Sequence, residues 1–226
     1  MLKGFKPIDF RSNSIWKALF TTILVYILQQ LFVYIFISLL GENLIAYAIG
    51  NLFLCTLLII LERKHLLNQL KTFKEDTKGK NKQIIIVTIV LLILEFIANM
   101  IIIKIINKVP DNTQGVLDAF NLGDKYIIGF IFNTLIIFPV LETLMFFYPY
   151  HNIKNRKLAF IVYTIVFAIL HMITASSLGD LLYIIPYTLL SFAITYGYYK
   201  SNNICYPIIV HILNNVIALI NILIIR

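Results

Sequence analysis

Glu142, His171, His211 and Asn215 place polar chemistry inside stretches that are otherwise close to pure hydrocarbon. An ionisable side chain at bilayer depth is costly, so such a residue marks a candidate functional site by default. The chain holds four histidines, and two of them lie deep within apolar segments. A carboxylate, two imidazoles and an amide gathered in one buried pocket would suit activation of water and binding of an oxyanion. That is the chemistry of a hydrolase working inside a membrane. His211 and Asn215 are spaced i,i+4 and therefore share one face of a helix. Taken singly, each has a bland reading: a bonded packing histidine, or an asparagine gluing two helices together. Glu142 is harder to dismiss, because a buried carboxylate must find a partner or take up a proton.

The elements that position these residues follow from composition. Of 226 residues, 60% are hydrophobic and 13% charged, and the mean hydropathy is +0.87. A soluble domain of that make-up could not cover itself with polar groups, so the fold class is an all-α polytopic membrane protein. The net charge of +8 does not point to nucleic acid, because the basic residues flank apolar stretches. They read as topology signals and contacts to the headgroups of the lipid bilayer. Cys55 and Cys205 fall on different stretches and form neither a disulfide framework nor a metal spacing. Lysine outnumbers arginine, and isoleucine and asparagine abound, which is the bias of an AT-rich genome.

Seven apolar stretches run approximately over 15–40, 43–61, 84–106, 126–148, 158–175, 178–198 and 204–225. Each approaches or exceeds the ~20 residues a helix needs to cross the hydrocarbon layer. Helices are the expected form, because backbone groups in lipid must be satisfied within the segment. One bundle of about seven transmembrane helices, a single membrane domain over 1–226, is therefore expected. The first stretch reads as an uncleaved signal anchor. Alternate loops are basic: Lys3, Lys6, Arg11 and Lys17 precede the first stretch, Arg63 to Lys82 follow the second, and Lys154, Arg156 and Lys157 follow the fourth. This pattern puts the N-terminus in the cytoplasm. Leu66, Leu67, Leu70 and Phe73 predict a short amphipathic helix lying on the membrane in the second loop. The 107–125 loop reads as an outer hairpin or half-helix. Glu95 is a second carboxylate at bilayer depth, and a bond to Asn99 one turn on, or a pairing with His171, would satisfy it. Tyr187 reads as a possible lining residue of a polar cavity.

Three short motifs in order resemble the CAAX-protease and bacteriocin-processing family of intramembrane proteases (the CPBP, or Abi, family). The family's first motif runs approximately P-x-x-E-E-x-x-F-R-G, and Pro139, Glu142 and Phe146 match it. F-x-x-x-H matches Phe167 and His171, and H-x-x-x-N preceded by P-I matches Pro207, His211 and Asn215. Agreement covers about 135–220, within a catalytic core expected over 126–225. The resemblance implies Glu142 as general base, His171 holding the attacking water, and His211 with Asn215 as the oxyanion hole. It implies no cofactor. Zinc bound by Glu142, His171 and His211 is possible in principle but not favoured, because no HExxH pair occurs. The motif's second glutamate is Thr143 here and its arginine is Phe147. Those positions are i,i+4, so an ion pair is lost as a whole and no single charge is stranded.

The leading expectation is an intramembrane endopeptidase in the multi-pass cell membrane of a low-GC bacterium. Its substrate would be a peptide or a membrane-anchored segment, such as a bacteriocin, pheromone or leader peptide. The alternative is a catalytically silent membrane-protein partner that confers bacteriocin immunity or modulates a sensor kinase.

Overall fold

The computed structural model describes residues 13–41, 44–76, 82–121, 124–173 and 175–225, and among these every regular element is helical. Lys3, Lys6, Arg11, Lys78 and Lys80, which contribute to the charge pattern, lie outside the described residues. In chain order the helices are α1 (Ile15–Leu40), α2 (Leu44–Asp76), α3 (Lys82–Ile106), α4 (Asp111–Asn121), α5 (Asp124–Phe132), α6 (Phe138–Phe147), α7 (Arg156–His171), α8 (Ile184–Ser201) and α9 (Cys205–Ile225). A π turn, Asn133–Ile137, joins α5 to α6, and 3₁₀ turns at Tyr148–Tyr150 and Gly179–Tyr183 follow α6 and precede α8.

Five segments are long and apolar enough to cross a membrane: Ile15–Leu40, Leu44–Glu75, Lys82–Ile106, Ile127–Tyr150 and Gly179–Ser201. The remaining two of the seven expected stretches are also helical. α7 has 16 residues, and α9 is an apolar helix of 21 residues. The polytopic helical bundle is as expected, and α7 and α9 carry His171, His211 and Asn215.

Burial follows helical periodicity. Ala18, Thr22, Val25, Gln29 and Val33 are the buried stripe of α1, whereas Trp16, Phe20, Ile27, Leu31 and Tyr34 face outward. Exposed apolar side chains of this kind suit a lipid-facing surface, since lipid tails are as apolar as leucine. α1 lies along α2, and Gly50 makes the close approach possible: a Cβ there would stand 2.8 Å from the Val33 Cα. Gln29 Nε2 donates to Asn51 Oδ1 at 3.0 Å across the same pair. α7 and α8 are joined by hydroxyls, with Thr164 and Thr195 Oγ1 atoms 2.9 Å apart and Ser191 Oγ donating to the Thr164 carbonyl at 2.9 Å. Small and hydroxylated residues at such contacts replace the hydrophobic driving force that lipid removes.

The centre of the bundle is α6. Pro139, Leu141 and Thr143 to Phe147 are all buried, which leaves Glu142 as a partly exposed residue amid a sealed helix. Leu141 and Leu144 to Phe147 share one core cluster with Leu54 and Leu58 of α2, Tyr163 and Phe167 of α7, and Leu190 and Ile194 of α8.

The second loop differs from expectation. Its Leu66–Phe73 segment is not a separate helix on the membrane surface but the continuation of α2, which runs for 33 residues. The reason is tertiary. Asn203 Nδ2 donates to the Gln69 carbonyl at 2.7 Å and to Thr72 Oγ1 at 2.9 Å, and Ile204 N–H donates to Gln69 Oε1 at 3.0 Å. Phe73 meets Tyr206 edge-on. This clasp fixes the end of α2 to the start of α9. At the other end of the bundle, Lys108 Nζ contacts Asp180 at 2.9 Å, and Asp180 Oδ2 accepts the backbone N–H groups of Ser176 and Ser177.

Candidate active site

Pro139 shapes the helix that carries Glu142. A proline inside a helix supplies no N–H to the turn before it, and the backbone must adjust there. The adjustment is the π turn, in which Phe138 N–H donates to the Asn133 carbonyl. π turns of this type recur at functional sites. Three residues beyond Pro139 stands Glu142, its side chain 15% exposed.

Opposite stands α9. His211 Nε2 lies 3.4 Å from Glu142 Oε2, and the imidazole side chain is 4% exposed. His211 Nδ1 has no hydrogen-bond partner among the described residues. One turn on, Asn215 Nδ2 donates to the Thr134 carbonyl at 2.9 Å, which ties α9 to the π turn. Its neighbour Asn214 makes a long 3.5 Å contact to Asn215 Oδ1.

His171 is the last residue of α7. Its Nδ1 lies 2.9 Å from the Phe167 carbonyl. A carbonyl only accepts, so Nδ1 carries a proton, and in the neutral ring Nε2 is the acceptor. Phe167 connects the two histidines. Its ring stacks on His171 at 4.3 Å and meets His211 edge-on at 5.7 Å. Tyr187 closes the far side of His171 at 5.1 Å.

The four residues singled out in the sequence thus fall into one direct contact, Glu142 with His211, and two positions attached to it. His171 joins through the Phe167 ring, and Asn215 through its own helix turn and Thr134. Sequence reasoning marked Phe167 only as a motif position and missed Thr134 altogether. The missing N–H of Pro139 was the signal for the latter. Glu95 is elsewhere engaged: Asn99 Nδ2 donates to its carboxylate.

Thr143 and Phe147, where the motif carries charge, are both buried. Phe147 stacks on Tyr163 at 5.0 Å and meets Tyr198 edge-on at 5.4 Å, so aromatic packing fills that position. Thr143 Oγ1 has no hydrogen-bond partner among the described residues.

A zinc site needs three or four close donors. Among the described residues no three His, Cys, Asp or Glu side chains are grouped to hold a metal ion. No step below is routed through a metal. Two small pockets are lined by other residues, one by Tyr150, His151, Arg156 and Tyr198 among others and one by Thr21, Leu58, Glu62 and Tyr148 among others.

Residues 124–217 match the family model described as type II CAAX prenyl endopeptidase Rce1-like. The chain is also 35% identical over 123 residues to the UPF0177 protein YxdF of Lactococcus lactis subsp. lactis, an alignment that spans 51% of this chain and 62% of that protein. No solved structure matches significantly. The family model, described as that of an endopeptidase, covers the C-terminal helices only, and the match to the YxdF protein spans less than two thirds of that relative's length.

Proposed function

We propose, taking those C-terminal helices as the core of a CAAX-type intramembrane protease, that this protein is an endopeptidase that hydrolyses a small peptide or membrane-anchored substrate with water activated by Glu142. The observation that carries this reading is the 3.4 Å contact between Glu142 and His211 on two different helices. Two polar groups meeting in an apolar bundle are costly, so their retention is best explained by chemistry.

In the reaction, a water enters between Glu142 and the scissile carbonyl. Glu142 accepts one of its protons as the oxygen attacks the carbonyl carbon, and the acceptor Nε2 of His171 orients the other. The carbonyl π electrons move to oxygen, giving a tetrahedral oxyanion. His211 and the second N–H of Asn215 stabilise that charge. Collapse breaks the C–N bond, and Glu142 returns its proton to the leaving amine. The products are a carboxylate and an amine, and no cofactor takes part. The substrates that suit such a site are bacteriocin precursors, pheromones and leader peptides. The AT-rich residue bias and a lactococcal relative support the cell membrane of a low-GC bacterium as the setting.

A second reading rests on Thr143 and Phe147. With the second motif charge replaced by a sealed aromatic stack, the bundle also suits a catalytically silent membrane partner in immunity or signalling. Comparison of newly formed peptide termini in cells bearing wild type or Glu142→Gln, at equal membrane abundance, separates the two. The protease reading predicts a set of termini present only with wild type. Identical sets of termini, with the cellular phenotype retained in Glu142→Gln, would establish the silent partner.

A further inference from the structure

The carbonyl that holds Asn215 is free to do so for a specific reason. In an α-helix the carbonyl of residue 134 accepts the N–H of residue 138, and in a π turn that of residue 139. Here neither is on offer. Phe138 N–H goes to the Asn133 carbonyl instead, and Pro139 has no N–H. The Thr134 carbonyl thus points out of its own helix with an acceptor to spare, and Asn215 Nδ2 donates to it at 2.9 Å. Thr134 is half-buried, and a carbonyl shielded from water without a donor carries a desolvation cost that this bond relieves. A primary amide has two N–H groups in one plane. Fixing one on Thr134 sets the direction of the other.

We propose that Pro139 and the π turn Asn133–Ile137 form a positioning device that aims the Asn215 amide, so that its second N–H faces the developing oxyanion. Pro139 is a positioning residue here, acting through the Thr134 carbonyl and touching no substrate. The inference rests on the proposed function for its catalytic meaning, but the geometry it describes is independent of that reading.

The test restores the missing donor. Pro139→Ala and Pro139→Val both supply an N–H at residue 139, and valine keeps close to the volume of the buried proline. That N–H competes for the carbonyls of the π turn and relaxes it toward regular helix, and Asn215 loses its acceptor. The protein, labelled with 15N-asparagine and reconstituted in lipid nanodiscs, is read by the side-chain amide resonances of Asn215, assigned with Asn215→Ala. Turnover is read on a quenched-fluorescence peptide copying a cleavage site found in the comparison of termini. Both variants are expected to shift the Asn215 resonances and speed their proton exchange. They are expected to lower kcat by at least about 10-fold, with 10²–10³ the range for complete loss of one oxyanion donor, while KM stays within about twofold. The thermal midpoint should not fall, because alanine is the better helix former. A merely structural proline predicts the reverse, a lower midpoint with kcat per folded molecule intact. Unchanged Asn215 resonances in both variants overturn the positioning device. Shifted resonances with unchanged kcat keep the device and overturn the oxyanion role of Asn215 in the proposed function.

Discussion

Replacing Phe167 by alanine should loosen the site before it unfolds the bundle. Its ring makes an edge contact with Phe146 at 5.2 Å, a stacked contact with His171 at 4.3 Å and an edge contact with His211 at 5.7 Å. At ~0.5–1.5 kcal/mol for each such pair, the loss comes to about 1.5–4.5 kcal/mol. Phe→Ala in the core of a soluble protein costs about 3–5 kcal/mol. Part of that cost is transfer from water, which a bundle in lipid does not recover on folding. The expected destabilisation is therefore about 2–4 kcal/mol, read from denaturant titration of helical circular dichroism in mild detergent. Turnover per folded molecule should fall as well, because both imidazoles lose the surface that fixes their ring planes. Phe167→Leu, which restores most of the volume but no ring, should recover much of the stability and little of the turnover. A destabilisation below ~0.5 kcal/mol, within the range of an ordinary surface substitution, would refute the packing role of this ring between the two imidazoles.

Gly50→Ala should destabilise by about 1–3 kcal/mol as an overpacked contact, since its Cβ meets backbone atoms of Val33 at 2.8 and 3.0 Å; Gly115→Ala, which meets nothing within 4 Å, is the control in the same titration. Asn203→Ala removes two hydrogen bonds to α2, worth about 1–3 kcal/mol together, and should raise hydrogen exchange at 63–76 while the amides of α6 stay protected. Protection of 63–76 equal to wild type would show that the clasp does not hold the end of α2. A cysteine label in the 63–82 loop should be accessible from the cytoplasm and one in 107–125 from outside, and the opposite result would reverse the charge-based orientation.

What could be seen in the sequence and what could not divides along physical lines. Glu142, His171 and His211 stood out because a titratable side chain within an apolar run is conspicuous without any knowledge of its neighbours. The i,i+4 spacing placed Asn215 on the His211 face for the same local reason. The helical class followed from hydropathy alone, and Asn99, one turn from Glu95, proved to be its hydrogen-bond donor. The long α2 was not legible, because the bonds that extend it past the membrane come from Asn203 and Ile204, remote in sequence. Hydropathy also ran the fifth stretch to 175, whereas α7 ends at His171, since Met172 and Ile173 are apolar without being helical. The π turn has no compositional signature. Its sole local cue is Pro139, and its consequence, the Thr134 carbonyl taken up by Asn215, appears only once α9 is packed against it.

The central claim is that Glu142 as base and His211 as oxyanion donor act together in one reaction, and a double-mutant cycle measures it most directly. Wild type, Glu142→Gln, His211→Ala and the double variant would be reconstituted in lipid vesicles at equal folded abundance and assayed on one membrane peptide. Loss of a general base costs about 10²–10⁴ in rate and loss of an oxyanion donor about 10²–10³. Residues that work as a unit are strongly non-additive. The expected result is that each single variant loses at least ~10² and the double variant is no slower than the slower single one. Near-wild-type rates in both single variants, or losses that simply multiply in the double, would contradict the pair as the catalytic centre.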